Sequence, residues 1–153
     1  MHRLVASFFG SGLILRLIRG SDSGSGTIGA LVALPFSLWI GSSSLGWQGQ
    51  LIGAGLLIIA ALWSTRTLVS EHGDAGWIVI DEASGAFVAS IGLAGWPAVI
   101  GFLVFRAADI FKSRLTGVLQ AERLPGASGI IADDVVAGVY GLAIGHLVAQ
   151  TLF

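Results

Sequence analysis

The last part of the chain restricts the fold most strongly, because two adjacent carboxylates, Asp133 and Asp134, interrupt an apolar run that continues to Phe153. A buried carboxylate without a partner either stays protonated or takes up a cation, and two neighbouring carboxylates repel each other. A bound divalent cation is a favourable way to keep both ionised. We therefore expect other segments of the chain to bring further charged groups to this pair.

Two other acidic clusters lie at the ends of apolar segments. One contains Asp81 and Glu82, and the other contains Asp109, which stands between Arg106 and Lys112. Each cluster alone could simply cap or solvate a helix end, where such charges are favourable. Three clusters of this kind in one short chain favour a shared site.

The composition indicates a membrane protein. Of the 153 residues, 54% are hydrophobic and only 11% are charged, and the mean hydropathy of +0.86 exceeds that of ordinary soluble domains. The net charge of -1 argues against a nucleic-acid partner, which requires a basic face. We expect an all-α, compact, membrane-embedded bundle of about six helices, formed as a single domain by residues 1–153.

Apolar segments alternate with polar or glycine-rich ones. Residues 4–18 are apolar but short for a crossing of roughly 30 Å. The pattern predicts further helices at residues 28–40, 50–63 and 135–153, with loops that include residues 64–76 and 119–129.

The apolar stretch at residues 77–105 is long enough for one tilted crossing, but Gly92, Gly95 and Pro97 lie near its middle. Proline removes a helix donor and disfavours helix in the preceding residue, so we predict a broken helical hairpin between Gly92 and Pro97. Basic segments prefer the cytoplasm. Two segments are basic, the N-terminal one at residues 3–19 and a second one at residues 106–123. A hairpin places both of them on the cytoplasmic side and allows the three acidic clusters to meet.

The spacing of Arg106, Asp109 and Lys112 puts these side chains near one face of a helix. A carboxylate between two cations suits a phosphate ester that is bound partly through a metal ion. Hard oxygen donors in a chain with no Cys and few His select Mg²⁺ or a similar ion over zinc or copper. The candidate catalytic and metal-binding residues are Asp81, Glu82, Asp109, Asp133 and Asp134. A salt-bridge patch near the lipid headgroups remains the structural alternative.

Among the chemistries of phosphatases, metal-assisted attack by water fits these residues best. The absence of Cys excludes a thiolate nucleophile. Asp133 and Asp134 are adjacent, whereas an aspartyl-phosphate enzyme needs its second Asp two positions on. His146 has no acidic neighbour in sequence, which favours a hydrogen-bonded structural role.

Four separated motifs resemble those of the phosphatidylglycerophosphatase A family, in the family's order and over nearly the whole chain. They lie at residues 26–29, 74–85, 105–112 and 129–138. The resemblance implies a helical bundle that removes the terminal phosphate from phosphatidylglycerophosphate with the help of Mg²⁺. It also implies a multi-pass protein of the bacterial inner membrane with its active site facing the cytoplasm.

Carried over residue by residue, the resemblance places acidic groups, joined by Arg106 and Lys112, in the site; these are Asp74, Asp81, Glu82, Asp109, Asp133 and Asp134. Thr27 opens a helix whose backbone N–H groups can bind phosphate, although a plain cap is the simpler role. Ser25 stands where the family usually has Pro, and Ser113 follows Lys112 where the family has a proline-rich turn.

Two alternative functions remain open. The chain could be a phosphatase of the same chemistry that acts on another phosphate monoester. It could instead be a non-enzymatic membrane protein whose acids line a cation path, although such acids should lie near the middle of the bilayer.

Overall fold

The computed structural model describes residues 1–72 and 75–152, and this part of the chain is all-helical, as predicted. Its α-helices number eight, more than the six or so expected, because three short helices join the longer ones. In chain order they are α1 His2–Ala6, α2 Ile14–Arg19, α3 Ser25–Gly41, α4 Gly46–His72, α5 Ile80–Ser90, α6 Gly95–Ile110, α7 Val118–Glu122 and α8 Ala127–Leu152.

Helix α5 is the centre of the bundle and packs against α3, α4, α6 and α8. All of its residues are buried apart from Glu82, which is partly exposed. Its side chains are mostly small, which allows the four neighbouring helices to approach closely. The acidic residues Asp81 and Glu82 lie in its first turn, so the charged end of this helix is also at the centre of the bundle.

The predicted hairpin break is confirmed. Helix α5 ends at Ser90 and α6 begins at Gly95, and Gly92 and Gly95 adopt positive φ angles of 70° and 57° in the turn. Glycine takes up this backbone conformation without a steric penalty. The chain reverses here, and the first turn of α5 therefore lies at the same end of the bundle as the last turn of α6.

A buried glutamine stabilises the hairpin turn. The side chain of Gln50 accepts a hydrogen bond from the N–H of Gly92 at 2.8 Å and donates one to the carbonyl of Ser90 at 3.1 Å. The ring of His146 lies 3.0 Å from the carbonyl oxygen of Ile91, in agreement with its predicted structural role. These contacts tie the turn to α4 and α8.

The N-terminal apolar segment is not one helix. Phe8, Phe9 and Gly10 have φ angles of 44°, 58° and 89°, and these left-handed residues separate α1 from the turn that leads into α2. Thr27 lies inside α3, which begins at Ser25 after the left-handed Gly24, so it is not the helix cap.

Two helix boundaries differ from the predicted ones by eight residues or more. Helix α4 continues to His72, through residues that were expected to form a loop, and α8 begins at Ala127, well before residue 135. Polar residues in these stretches made the sequence look like a loop. The structure instead turns Asp133 and Asp134 inward from a continuous helix, where they are buried.

Two segments are long and apolar enough to cross a membrane, namely residues 46–69 of α4 and 127–152 of α8. In their most apolar stretches only 28% and 22% of the residues, respectively, are buried within the protein. On α4 the exposed residues Leu56, Ile59 and Trp63 follow one another along the same face. A large exposed apolar surface of this kind suits contact with lipid.

Close packing of α8 against α5 depends on glycine. A Cβ atom at Gly138 would lie 2.6 Å from the carbonyl oxygen of Gly85. Ala normally stabilises a helix by about 1 kcal/mol relative to Gly. We expect Gly138→Ala to destabilise this protein instead, by about 1–3 kcal/mol, because backbone atoms would have to move apart.

Thermal unfolding in detergent measures this effect, and Gly55→Ala on α4 is the matched control, since a Cβ there meets nothing within 4 Å. The control should unfold at or above the wild-type temperature. Equal stability of the two variants would contradict the packing described for α5 and α8.

Candidate active site

Charged side chains from α5, α6, α7, α8 and the segment after α6 converge on one end of the bundle. They line a cavity of about 470 Å³ that also has apolar walls. The charged lining residues are Asp81, Glu82, Asp109, Lys112, Glu122, Asp133 and Asp134. The acidic clusters that are separated in sequence therefore share one space.

Three carboxylates form the core of this site. Asp81, Glu82 and Asp134 can each place an oxygen within 4.8 Å of an oxygen of the other two. Within the described part of the chain, one buried oxygen of each, Oδ1 of Asp81, Oε2 of Glu82 and Oδ1 of Asp134, has no hydrogen-bond donor. Hard oxygen atoms that converge without donors fit a divalent cation such as Mg²⁺.

The electrostatics of α5 support this interpretation. Burial raises the pKa of Asp81 well above its usual range, and the neighbouring Glu82 carboxylate raises it further. Burial also raises the pKa of Glu82, to about 8, with the negative charge of Asp134 as the next cause. A cation bound among these carboxylates would favour their ionised forms.

Asp109 is paired with Arg106 and lies outside the three-carboxylate core. Nη1 of Arg106 is 2.8 Å from Oδ2 of Asp109, and Nη2 donates a hydrogen bond to Oγ1 of Thr27 at 3.2 Å. Both charged side chains are largely buried. Arg106 thus contacts both Thr27 and Asp109. Of these three residues, Asp109 lines the cavity, whereas Arg106 and Thr27 do not.

Asp133 is paired with Lys112. Nζ of Lys112 lies 2.9 Å from Oδ2 of Asp133 and 2.8 Å from Oε1 of Glu122. Burial acts to lower the pKa of Lys112, but the hydrogen bonds to Glu122 and Asp133 outweigh it, so that this pKa is raised overall. Lys112 therefore remains positively charged at the edge of the cavity.

Glu122 is a site residue that the sequence did not reveal. It lies in a segment that was expected to be a loop, and only the short helix α7 brings it to Lys112. Its position shortly after Lys112, among basic residues, was the available signal. Asp74, which the resemblance included in the site, lies outside the described residues.

Gly26, near the start of α3, leaves room for the side chain of Glu82. A Cβ atom at Gly26 would overlap the carboxylate of Glu82 and lie 2.6 Å from its Cδ. The beginning of α3 can approach the acidic core only because residue 26 has no side chain. Gly26 and Thr27 therefore contact two different members of the site, Glu82 and Arg106.

The fold and the site define an all-helical protein whose buried carboxylates and adjacent cations suit reactions of phosphate esters. The family model described as phosphatidylglycerophosphatase A matches residues 4–149. The chain belongs to this family and is a phosphoric monoester hydrolase.

Curated relatives agree with this assignment. Phosphatidylglycerophosphatase A of Escherichia coli is 32% identical over 153 residues, which cover 96% of this chain and 83% of the relative. The Haemophilus influenzae protein of the same name is 32% identical over 146 residues, covering 92% and 84%. A Bacteroides thetaiotaomicron protein provisionally named a phosphatidylinositol-3-phosphatase is 30% identical over 153 residues, covering 92% and 89%.

No solved structure matches the chain significantly. Together with the two long apolar helices, the bacterial relatives indicate a membrane protein.

Proposed function

We propose that this protein hydrolyses the terminal phosphate monoester of phosphatidylglycerophosphate in a Mg²⁺-dependent reaction, giving phosphatidylglycerol and inorganic phosphate. The observation that carries the proposal is the meeting of Asp81, Glu82 and Asp134 within 4.8 Å in a chain of the phosphatidylglycerophosphatase A family. These three residues would hold the cation.

When bound, Mg²⁺ would polarise the phosphoryl group and lower the pKa of the attacking water. Lys112 offers its ammonium group to the phosphate oxygens at the edge of the cavity. Arg106, oriented by Thr27 and Asp109, contributes a second positive charge at the same end of the bundle.

Hydrolysis needs an acceptor for one proton. Water attacks phosphorus and loses a proton to a carboxylate, the bond between phosphorus and the glycerol oxygen breaks, and the leaving oxygen takes up that proton from the carboxylate. Asp109 and Asp133 line the cavity outside the three-carboxylate core, so each is placed to accept the proton that the water loses.

We place the site at the cytoplasmic face of the bacterial inner membrane, in a chain that crosses it more than once. One feature supports the cytoplasmic orientation, and a second supports the membrane crossings. The segment that follows α6 at the site end is basic, and basic segments prefer the cytoplasm. The long helices α4 and α8 expose apolar side chains along much of their length.

A lipid phosphorylated on inositol is a second candidate substrate, favoured by the provisional name of the Bacteroides relative. It carries the same phosphate monoester on a larger headgroup. Comparing the two lipids therefore tests which headgroup fits the site, because the hydrolysed bond is a phosphate monoester in both.

We expect the detergent-purified protein to release phosphate from phosphatidylglycerophosphate faster than from phosphatidylinositol 3-phosphate or soluble glycerol 3-phosphate. EDTA should abolish the release, and excess Mg²⁺ should restore it, because the three converging carboxylates would hold the cation that activates the phosphoryl group and the water. Colorimetric detection of phosphate measures all three reactions.

Faster release from the inositol lipid would transfer the assignment to that substrate. No release from any of the three by folded protein with Mg²⁺ would contradict the enzymatic proposal and favour a cation path.

A further inference from the structure

Lys112 is held by two carboxylates at the edge of the acidic cavity. Its Nζ lies 2.9 Å from Asp133 and 2.8 Å from Glu122, and all three residues line the cavity. The two carboxylates take two of the three N–H donors of Lys112, and both repel a phosphate that enters the cavity. Such a phosphate therefore binds this ammonium group more tightly if one of the carboxylates moves away.

The two carboxylates are held differently. The side chain of Asp133 is 4% exposed, and its Oδ1 also accepts a hydrogen bond from the N–H of Asp134 within α8. The side chain of Glu122 is 41% exposed and stands at the end of the five-residue helix α7. An exposed ion pair contributes little to stability, whereas a buried carboxylate that loses its cation is costly. Glu122 is the partner that is easier to displace.

We propose that Glu122 sets the affinity of the site for phosphate by occupying the position on Lys112 that the phosphate takes. Binding replaces the contact between Glu122 and Lys112 with a contact between phosphate and Lys112, and the Glu122 side chain turns to solvent. The identity of the lipid rests on the function proposed above, but the exchange itself requires only a phosphate group.

This exchange affects the product as well as the substrate. Inorganic phosphate must also compete with Glu122, so the carboxylate favours release of the product after hydrolysis. Glu122 is accordingly a positioning residue that acts through Lys112. Its removal should strengthen binding of substrate and product together and leave the chemical step intact.

Binding of inorganic phosphate to the purified, Mg²⁺-loaded protein, measured by calorimetry, tests the inference without turnover. We expect Glu122→Gln to lower the Kd for phosphate by about fivefold, as fits the loss of a competing exposed ion pair. In lipid hydrolysis the same variant should lower KM with little change in kcat. The Asp side chain in Glu122→Asp is shorter and reaches Lys112 less well. The Kd of this variant for phosphate should therefore lie between those of the wild type and Glu122→Gln.

A double-mutant cycle with Lys112→Gln separates competition for Lys112 from a general effect of charge. If Glu122 competes for Lys112, then Glu122→Gln should have no effect on the Kd in the Lys112→Gln background. Asp22→Asn is the matched control. The Cβ and backbone carbonyl of Asp22 lie near Gly76, which lines the cavity, but the ion pairs of Lys112 are with Glu122 and Asp133. This variant should leave the phosphate affinity nearly unchanged.

The inference would be overturned if Glu122→Gln strengthened phosphate binding equally in the wild-type and Lys112→Gln proteins. Weaker phosphate binding in the Glu122→Gln variant would also overturn it. Hydrolysis of phosphatidylglycerophosphate with an unchanged phosphate Kd in Glu122→Gln would reject the role of Glu122 alone. A Lys112-dependent gain in phosphate affinity without hydrolysis of any lipid would reject the proposed function and retain the role of Glu122.

Discussion

Asp81→Asn and Asp134→Asn are each expected to reduce Mg²⁺-dependent phosphate release by at least about 1000-fold. Both side chains are buried in the three-carboxylate core, and each replacement would remove one of the anionic groups that we propose hold Mg²⁺. The metal ion supplies several kcal/mol of transition-state stabilisation, and about 1.4 kcal/mol corresponds to a tenfold change in rate. Initial rates of phosphate release at saturating lipid measure the loss.

The same variants should fold at least as stably as the wild type in metal-free buffer, because each removes one of several repelling buried carboxylates. Thermal unfolding in EDTA tests this, and Asp22→Asn serves as a control that should retain activity. A folded Asp134→Asn protein with more than about a tenth of wild-type activity would show that its carboxylate is not a ligand needed for the reaction.

Gly26→Ala is expected to reduce the rate by about 100-fold while the bundle remains folded. The new methyl group would occupy the space of the Glu82 carboxylate, which must then move out of the acidic core. A displacement of about 1 Å in an active site can cost a factor of this size. Phosphate release at several Mg²⁺ concentrations measures the effect, and a higher Mg²⁺ requirement would accompany it.

The control for this change is Gly55→Ala, which adds the same methyl group to a helix at a position with open space. Its activity should equal that of the wild type. If Gly26→Ala were as active as Gly55→Ala, then either the contact between α3 and Glu82 or the need for Glu82 would be excluded.

Several features of the fold could be predicted from local sequence. The break between α5 and α6 follows from Gly92, Gly95 and Pro97, because the backbone preferences of glycine and proline act over one or two residues. Helices α3 and α4 were predicted from their runs of apolar residues. Such segments are buried or contact lipid whatever the details of packing, so local sequence is enough to predict them.

The boundaries of helices were less predictable. Helix α4 continues to His72 and α8 begins at Ala127, although both stretches contain polar residues that are typical of loops. In α8, Asp133 and Asp134 point inward and are buried, which explains why the helix includes polar residues. They belong to the candidate site on the inner face of the helix. Such a site exists only after the helices have assembled.

The sequence by itself determined which charges were available, and it indicated that the acidic clusters would meet at one end of a hairpin. Only the tertiary structure decided how these charges are paired. It brings Asp81, Glu82 and Asp134 into one core and pairs Asp109 and Asp133 with separate cations. The physical reason is that electrostatic interactions depend on distances of a few ångströms between segments that are far apart in the chain. Helix packing through residues without side chains, such as Gly138, sets those distances.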